Sequence, residues 1–262
     1  MAEPDVPLSG GGRTGVVRRG AMVMRDTGPW TPSVHALLRH LEAVGFDAAP
    51  RVVGSGFAAD GRETLTYIDG AIVNPAPWTD TAIITIGRMI RRLHDATATF
   101  QPPADATWRP WFGRDIGVGC RIIGHCDAAP WNIVARDRHP VALIDWEAAG
   151  PVDPLTELAQ VAWNNAHLYD DDVAAMNGLP DAAMRIAQVR LLADAYGLAA
   201  ADRHKLATRI IDFAAMSAAN EVIEQQITPD TEHAPRVWGI AWQTRSVAWM
   251  IRHRAQMERA LA

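Results

Sequence analysis

Three polar residues in the middle of the chain have the types and the spacing of a phosphoryl-transfer site. Asp127 lies within residues 124–133, Asn132 follows five positions later, and Asp145 comes thirteen positions after Asn132. An aspartate on a loop can accept the proton of an attacking hydroxyl, and an asparagine with a second aspartate supplies hard oxygen ligands for magnesium. We therefore predict that Asp127 is catalytic and that Asn132 and Asp145 bind magnesium beside nucleotide phosphates.

A β-hairpin is predicted to bring the two metal ligands together. Residues 132–135 and 141–144 are short apolar runs with strand character, and residues 137–139 between them are polar and typical of a turn. Because the hairpin separates Asn132 from Asp145, its two strands can return the second residue to the neighbourhood of the first.

Upstream of the site, the sequence predicts a small lobe of strands with one helix. The helix has apolar residues at 3.6-residue spacing between Pro32 and Gly45. The predicted strands are residues 13–18, 21–25, 51–54 and 63–68. Asp69 and Gly70 are typical of a boundary, so residues 1–69 form the first predicted domain.

Downstream, the chain is predicted to be mainly helical. Residues 81–94 have a wide apolar face, whereas residues 101–119 are rich in proline, glycine and aromatic residues and are predicted to be irregular. Further helices are predicted at 154–168, 181–196, 201–226 and 235–260. The predicted fold class is therefore α+β with two lobes, and residues 70–262 form the second domain, which contains the catalytic loop and the acceptor pocket.

Composition and charge argue against several classes of function. The chain has 262 residues and a net charge of −5, which disfavours a nucleic-acid binder that neutralises phosphates. Two cysteines, Cys120 and Cys126, are too few for a disulfide scaffold and lack the spacing of a zinc site. Met1 to Pro7 does not resemble a signal peptide, and charged residues interrupt every long apolar run. We therefore expect a cytoplasmic protein that binds neither nucleic acid nor membrane.

The central motifs resemble those of a known family. His125-x-Asp127-x-x-x-x-Asn132, followed by Ile144-Asp145-Trp146-Glu147, is similar to the catalytic and metal loops of the aminoglycoside phosphotransferase and choline kinase-like superfamily, distant relatives of protein kinases. Weaker similarities extend from residue 8 to about residue 165 and are found at residues 8–11, 67–70, 93–95 and 153–159. The early pattern is most similar to an actinobacterial branch of trifolitoxin-immunity-like proteins.

This resemblance implies a protein-kinase-like fold with two lobes and a nucleotide in the cleft. It implies ATP or GTP and Mg²⁺ as cofactors, and a hydroxyl of an aminoglycoside-like molecule, an amino alcohol or a sugar as the phosphate acceptor. The nucleotide base is expected against a hinge formed by Thr66, Tyr67 and Ile68. Backbone N–H groups of Gly10, Gly11 and Gly12 can cradle the phosphates, or this stretch is a plain N-terminal turn.

One feature departs from the family pattern and keeps a second function open. The only lysine of the chain is Lys205, so the lysine that normally reaches the α- and β-phosphates is missing. Arg25 is the natural substitute, or else it is a solvated strand end. The following helix offers His35 near the place of the usual partner glutamate, with Glu42 further along. The alternative function is therefore a catalytically weak or inactive binding or immunity protein of the same fold.

Several residues near the motifs are predicted to support the site rather than to react. His125 is expected to brace the catalytic loop, and three acidic residues are expected to cap or to orient their neighbours. These are Glu147, Asp153 and Glu157. Trp238 and Trp242 are expected in the core or as a wall of the acceptor pocket. Carboxylates that could bind a cationic acceptor are Asp170, Asp171, Asp172, Glu221 and Glu224.

Overall fold

The computed structural model describes residues 4–8, 15–117, 119, 121–232 and 237–262. Gly10, Gly11 and Gly12 lie outside the described residues, so the predicted phosphate cradle stays a prediction.

The first lobe is an antiparallel sheet with one helix. Its strands are β1 (Val6–Pro7), β2 (Val17–Arg19), β3 (Met22–Arg25), β4 (Val52–Phe57) and β5 (Glu63–Thr66), in the spatial order β1-β2-β3-β5-β4. The helix α1 (Thr31–Ala43) begins with Pro32 in its first turn and buries Leu37, Leu38 and Leu41 on one face. The strand-rich lobe with a single helix is therefore confirmed.

The second lobe contains five short strands. They are β6 (Ala71–Ile72), β7 (Ile122–Gly124), β8 (Ile133–Arg136), β9 (His139–Leu143) and β10 (Gly150–Val152). β8 and β9 form the predicted hairpin, with left-handed backbone at Asp137 and Arg138 in its turn, and β6 pairs with the outer side of β8.

The pair β7–β10 is an element that sequence reasoning missed. The two strands are antiparallel and three residues long, and β10 contains a glycine and a proline, which weaken any strand pattern. β7 leads directly into the catalytic loop and β10 leaves the predicted metal loop, so their pairing joins the bases of both loops.

Helices make up most of the second lobe. They are α2 (Asp80–Thr97), α3 (Pro154–Asn165), α4 (Asp171–Met176), α5 (Ala182–Tyr196), α6 (Ala200–Glu224), α7 (Val237–Arg252) and α8 (Arg254–Leu261). The continuous helix predicted over 235–260 is wrong, because the helix breaks at His253. The ring of His253 stacks on Trp249, and its Nδ1 competes for the Trp249 carbonyl at 2.9 Å.

One large apolar core extends through both lobes, beside a small cluster of Cys126, Ala148 and Val152. It includes Leu38 of α1, Ile90 of α2, Trp146 of the metal loop and Leu158 of α3, all of them fully buried. The site loops therefore rest on the core that holds the lobes together. Within the described residues, no helix is both long and apolar enough to cross a membrane.

Candidate active site

His125 connects the catalytic loop to the metal loop. Its Nδ1 accepts the backbone N–H of Asp127 at 3.1 Å, so Nε2 carries the proton and donates to the carbonyl of Ile144 at 3.0 Å. Burial lowers the pKa of His125, and the neutral ring packs edge-on against Trp146 with 4.6 Å between centroids. The histidine therefore braces the two loops, as predicted.

Asn132 faces Asp127 through its amide nitrogen. Nδ2 donates to the Asp127 carbonyl at 3.0 Å and to its carboxylate at 2.8 Å. The Asn132 carbonyl accepts the N–H of Ile144 at 2.9 Å, which places Asn132 beside the residue that precedes Asp145. Because Nδ2 is engaged with Asp127, the side-chain oxygen of Asn132 is the atom left for a cation.

The Asp127 carboxylate is in an environment that makes it more basic. Burial and then repulsion from the Asp145 carboxylate raise the pKa of Asp127 from 3.8 to about 7, although hydrogen bonds from Asn132 and Trp131 oppose this. Gln160 of α3 donates from Nε2 to the other carboxylate oxygen at 3.4 Å. A carboxylate with these properties can accept a proton from a hydroxyl group near neutral pH.

Glu157 of α3 anchors the catalytic loop from below. Its carboxylate accepts the N–H of Cys126 at 2.8 Å and contacts His94 Nε2 at 2.7 Å. A Cβ atom on Gly124 would collide with this carboxylate, which explains the glycine.

Cys126 and Asp145 both have left-handed backbone, with φ of 65° and 61°. Non-glycine residues keep this conformation only where surrounding contacts impose it.

The thiol of Cys126 is structural. The residue is 1% exposed, and burial raises the pKa of its thiol well above the usual value. A protonated, buried thiol is a poor nucleophile.

Arg25 bridges the two lobes across the cleft. Its Nη1 contacts Asp145 Oδ1 at 2.5 Å, and its Nε contacts a carboxylate oxygen of Glu63. Burial opposes the charge of Arg25, but the two carboxylates outweigh it and raise the pKa of Arg25. Arg25 is therefore an ion-paired residue next to the metal loop and not a solvated strand end.

Glu63 is the partner that sequence reasoning missed. The residue is 2% exposed, and its second oxygen contacts His35 Nε2 at 2.9 Å. Burial raises the pKa of Glu63, but the hydrogen bond from His35 and the charge of Arg25 reverse the shift and lower it. Glu42, the other acidic residue considered, is half exposed near Arg51 at 3.9 Å and does not contact Arg25. Only the cross-strand register Arg25↔Glu63 brings the two side chains together, and no local sequence pattern gives that register.

The predicted hinge lies at the end of β5. Thr66 exchanges hydrogen bonds with Arg51, and the N–H of Tyr67 donates to the Ala21 carbonyl at 2.8 Å. Arg18 stacks over the Tyr67 ring at 3.9 Å. These contacts hold Thr66, Tyr67 and the adjacent Ile68 in a fixed backbone path between the lobes.

Like Glu157, the other two acidic residues near the metal loop, Asp153 and Glu147, have supporting roles. Asp153 caps α3 by accepting the N–H groups of Leu155 and Thr156, and Glu147 pairs with Arg109.

Arg114, in the irregular segment before β7, supports the metal loop and was not predicted from the sequence. Its guanidinium donates to the carbonyls of Ala148 at 2.9 Å and Pro151 at 3.1 Å, and so clamps the chain after the metal loop.

Of the five carboxylates predicted to bind a cationic acceptor, the three aspartates are engaged by arginines or by an indole, and Glu224 is exposed. Asp170 pairs with Arg245 and Arg252, and Asp172 also pairs with Arg245. Asp171 accepts from Arg185 at 2.8 Å and from Trp249 at 2.8 Å. Glu221 accepts from Gln225 in the next helical turn.

The two tryptophans predicted in the core or in a pocket wall are only partly buried. Trp242 is half buried and stacks on Trp163, whereas Trp238 is 54% exposed, so neither lies fully in the core.

The residues present fit a magnesium ion that is shared with a nucleotide. Among the described residues there is no group of three or more His, Cys, Asp or Glu side chains arranged to hold a metal. Magnesium bound to a nucleotide commonly uses one or two side chains together with phosphate oxygens and water. The Asn132 oxygen and the Asp145 carboxylate provide such a pair.

Comparison with known proteins identifies relatives of this chain. Residues 118–185 match the model of the phosphotransferase enzyme family. The chain is 54% identical to a trifolitoxin immunity protein of Rhizobium leguminosarum bv. trifolii, over 98% of this chain and 99% of that protein. The chain belongs to the phosphotransferase family. Within it, this member is similar to the trifolitoxin immunity protein over its whole length.

Solved structures share the fold of this phosphotransferase-family member. A choline/ethanolamine kinase family protein from Mesorhizobium loti has a TM-score of 0.59 at 17% identity, covering 98% of this chain and 92% of that chain. Amicoumacin kinase, in complex with AMP-PNP, Ca²⁺ and Ami, has a TM-score of 0.64 at 12% identity, covering 97% and 88%. Aminoglycoside 2′-phosphotransferase-IIIa, in a GDP complex, has a TM-score of 0.55 at 11% identity, covering 98% and 94%. The predicted kinase-like, two-lobed fold is therefore confirmed.

Proposed function

We propose that this protein is a nucleotide- and Mg²⁺-dependent phosphotransferase that moves a γ-phosphoryl group to a hydroxyl of a small molecule. The observation that carries the proposal is the convergence of Asp127, Asn132, Asp145 and Arg25 on one cleft through direct contacts or through His125. Each residue has the chemistry that its role in phosphoryl transfer requires.

In this proposal the nucleotide lies between the lobes. The domain of residues 1–69 covers it, with the base against Thr66, Tyr67 and Ile68 and the glycine stretch 10–12 over the phosphates. The pairing of β6 with β8 supports a boundary near residue 70, since β6 already belongs to the sheet of the second lobe. Arg25 can exchange its contact with Asp145 for the α- and β-phosphates, because a guanidinium is a good bidentate phosphate donor.

Asn132 and Asp145 would hold the magnesium ion, and Asp127 would receive the proton. When bound, the ion neutralises charge on the β- and γ-phosphates. The acceptor oxygen forms a bond to the γ-phosphorus while the bond from that phosphorus to the β–γ bridging oxygen breaks. The proton of the hydroxyl passes to Asp127, and the nucleoside diphosphate leaves. Asn132 and Gln160 orient the Asp127 carboxylate for this step.

The relatives support a nucleotide, a divalent ion and an immunity role. Two of the solved relatives contain AMP-PNP with Ca²⁺ or GDP, which fits ATP or GTP with Mg²⁺ here. The 54% identical relative is named a trifolitoxin immunity protein, so a toxin is one acceptor class in this proposal. A cytoplasmic location, where nucleotide triphosphate is abundant, completes the proposal.

Transfer of radioactive phosphate from ATP or GTP tests this function. We expect Mg²⁺-dependent labelling of an acceptor from a panel of aminoglycosides, amino alcohols, sugars and toxin-like compounds. Asp127→Ala should lower turnover by about 10²–10⁴-fold, the range of a positioned general base. The exposed Asp105→Ala serves as control and should keep full turnover. Unchanged turnover in Asp127→Ala would refute the role of Asp127.

A binding or immunity protein without turnover is the second candidate. Arg25 in place of the family lysine favours it, because the arginine already occupies the Asp145 carboxylate. This candidate predicts Mg²⁺-nucleotide or toxin binding with no labelled product at any acceptor concentration. The same assay, combined with a direct binding measurement, separates the two.

A further inference from the structure

A group of buried polar atoms without partners lies along and beyond α3. Among the described residues, seven buried side-chain nitrogen or oxygen atoms have no hydrogen-bond partner, and four of the seven lie within residues 160–167. The four are Gln160 Oε1, Trp163 Nε1, Asn164 Oδ1 and His167 Nε2. Unpartnered buried polar atoms destabilise a folded chain, so this concentration needs partners that the chain itself does not supply, namely water or a ligand.

These four residues form one stripe that begins at the predicted catalytic residue. Gln160, Trp163 and Asn164, spaced i, i+3 and i+4, lie on one side of α3, and His167 follows two residues beyond the end of this helix with left-handed backbone. Gln160 contacts the Asp127 carboxylate through Nε2, whereas its Oε1 is the unpartnered atom. At the helical rise of about 1.5 Å per residue, the stripe extends about 6 Å from Gln160 to Asn164, and His167 continues it beyond the helix.

The far end of the stripe opens into a cavity of about 280 Å³. His167, Tyr169 and Trp242 line it. Trp242 stacks on Trp163 with 5.3 Å between ring centroids, and the Tyr169 hydroxyl donates to the Asn164 carbonyl at 3.3 Å. The stripe therefore meets the cavity at His167, and Trp163 and Asn164 lie directly behind its aromatic walls.

The atoms that await a partner are mainly neutral acceptors. Gln160 and Asn164 present amide oxygens. Burial, together with the charge of Arg185, lowers the pKa of His167 to about 4, so its ring is neutral. A backbone hydrogen bond to Asn165 leaves Nε2 as the acceptor atom. A ligand here must bring hydrogen-bond donors.

The same region disfavours a positively charged ligand. Arg185 lies beneath the cavity, 1% exposed, and donates to the carbonyls of His167 at 2.9 Å and Tyr169 at 2.7 Å. The three aspartates that follow the stripe already pair with arginines, as described above. An ammonium group would therefore find no uncommitted carboxylate among these three, because Asp171 is already paired with the buried Arg185.

We infer that the acceptor is an uncharged molecule with several O–H or N–H donors and a flat apolar face, and that Asn164 and His167 determine its binding. This inference rests on the proposed function and refines it, because among the expected acceptors it favours an uncharged, sugar-like molecule over the cationic aminoglycoside-like molecules and amino alcohols. An acceptor hydroxyl at Asp127 and a flat portion between Tyr169 and Trp242 would together span the stripe.

Matched pairs of small probes test the charge of the acceptor. N-acetylglucosamine is compared with glucosamine, and N-acetyltyrosinamide with tyrosinamide, so each pair differs in one ammonium group. Binding is measured by calorimetry without nucleotide. We expect the uncharged member of at least one pair to bind about tenfold more tightly, which corresponds to about 1.4 kcal/mol. The pair that shows the preference distinguishes a sugar-like from a peptide-like acceptor. Equal or tighter binding of the amines in both pairs, or no binding of either uncharged probe at millimolar concentration, would overturn the inference.

Two variants test the residues themselves. Asn164→Leu removes an unpartnered buried oxygen, so we expect it to raise the melting temperature while it weakens binding of the preferred probe about five- to tenfold. His167→Asn tolerates the left-handed backbone of this position and should weaken binding by a similar factor. If both variants bind the probe as the parent does, the stripe is not the binding surface.

Gln188→Leu is the matched control. This buried glutamine donates to the Trp78 carbonyl at 3.1 Å and to Asp80 at 3.0 Å, so its loss should lower the melting temperature and leave probe binding unchanged. The binding measurement needs no nucleotide, so it tests this inference separately from the transfer assay. A probe that binds but is not labelled in the transfer assay with ATP or GTP would count against the proposed function alone, whereas labelling of cationic acceptors only would count against this inference alone.

Discussion

Arg25 is in contact with both lobes, with Nε on Glu63 of its own sheet and Nη1 on Asp145 across the cleft. A lysine has one ammonium group at the end of a flexible stem and cannot present two fixed N–H directions. The arginine therefore does more than keep a positive charge: it sets the distance between a strand of the first lobe and the metal loop of the second.

Arg25→Lys should consequently not behave as a conservative change. We expect the affinity for Mg²⁺-ATP to fall about tenfold, because one charge-assisted hydrogen bond is lost. Calorimetric titration with Mg²⁺-AMP-PNP measures this. Arg19→Lys, at a half-exposed ion pair with Asp5 of 2.6 Å, is the control and should bind as the parent does. A parent-like affinity in Arg25→Lys would mean that the forked geometry is unimportant.

His167 makes the stability of the fold depend on pH. Its pKa falls from the ordinary 6.5 to about 4 in the folded chain, so below about pH 6.5 the unfolded chain binds a proton that the folded chain does not. The free energy of unfolding should therefore decrease as pH falls from about 6.5 towards 4, by at most about 1.4 kcal/mol per pH unit from this residue.

Urea unfolding of the parent and of His167→Asn at about pH 7 and about pH 5 isolates this contribution. The parent should lose more stability than the variant between the two conditions. The same loss in both proteins would show that His167 does not titrate as described.

Among the secondary-structure elements, α3 contacts the candidate site at three places, although none of the central motif residues lies on it. Its cap Asp153 fixes where the helix begins, Glu157 anchors the catalytic loop, and Gln160 reaches the Asp127 carboxylate. One helix therefore sets the orientation of the catalytic loop relative to the acceptor cavity.

Glu157→Ala should loosen this attachment. We expect a loss of roughly 3–5 kcal/mol of unfolding free energy, because the N–H of Cys126 and the side chain of His94 lose a buried charged partner. Turnover should fall as well, since Asp127 would no longer be held. Chemical denaturation and the transfer assay measure the two effects.

Glu258→Ala, on the exposed face of α8, is the control and should change the free energy of unfolding by no more than about 0.5 kcal/mol. A parent-like stability of Glu157→Ala would contradict this role.

The elements predicted correctly from the sequence are those with local signals. The apolar stripe of α1 and the turn between β8 and β9 each lie within a few consecutive residues. The pair β7–β10 joins segments more than twenty residues apart through three-residue strands, so no local pattern announces it. Glu63 was missed for the same reason, since only the register of β3 against β5 brings it to Arg25.

At the scale of the whole molecule, the two lobes contact each other where the nucleotide is proposed to bind. Besides the shared core, the contact of Arg25 with Asp145 at 2.5 Å crosses the cleft next to Asn132. A bound nucleotide with its ion would take over this crossing contact, so binding and lobe orientation are coupled. The motif residues could be singled out from their types, their spacing and the family resemblance, whereas the shape and charge of the cavity lined by His167, Tyr169 and Trp242 depend on helices whose packing the sequence does not encode locally.

The Mg²⁺ dependence of nucleotide binding in Asp145→Ala tests the central claim most directly. Calorimetric titration with AMP-PNP, with and without Mg²⁺, is run on the parent, on this variant and on the exposed Asp105→Ala. We expect the parent and Asp105→Ala to bind nucleotide much more tightly with Mg²⁺, and Asp145→Ala to lose that dependence. If Asp145→Ala binds nucleotide and Mg²⁺ like the parent, the metal assignment is wrong, and with it the proposed phosphoryl-transfer site.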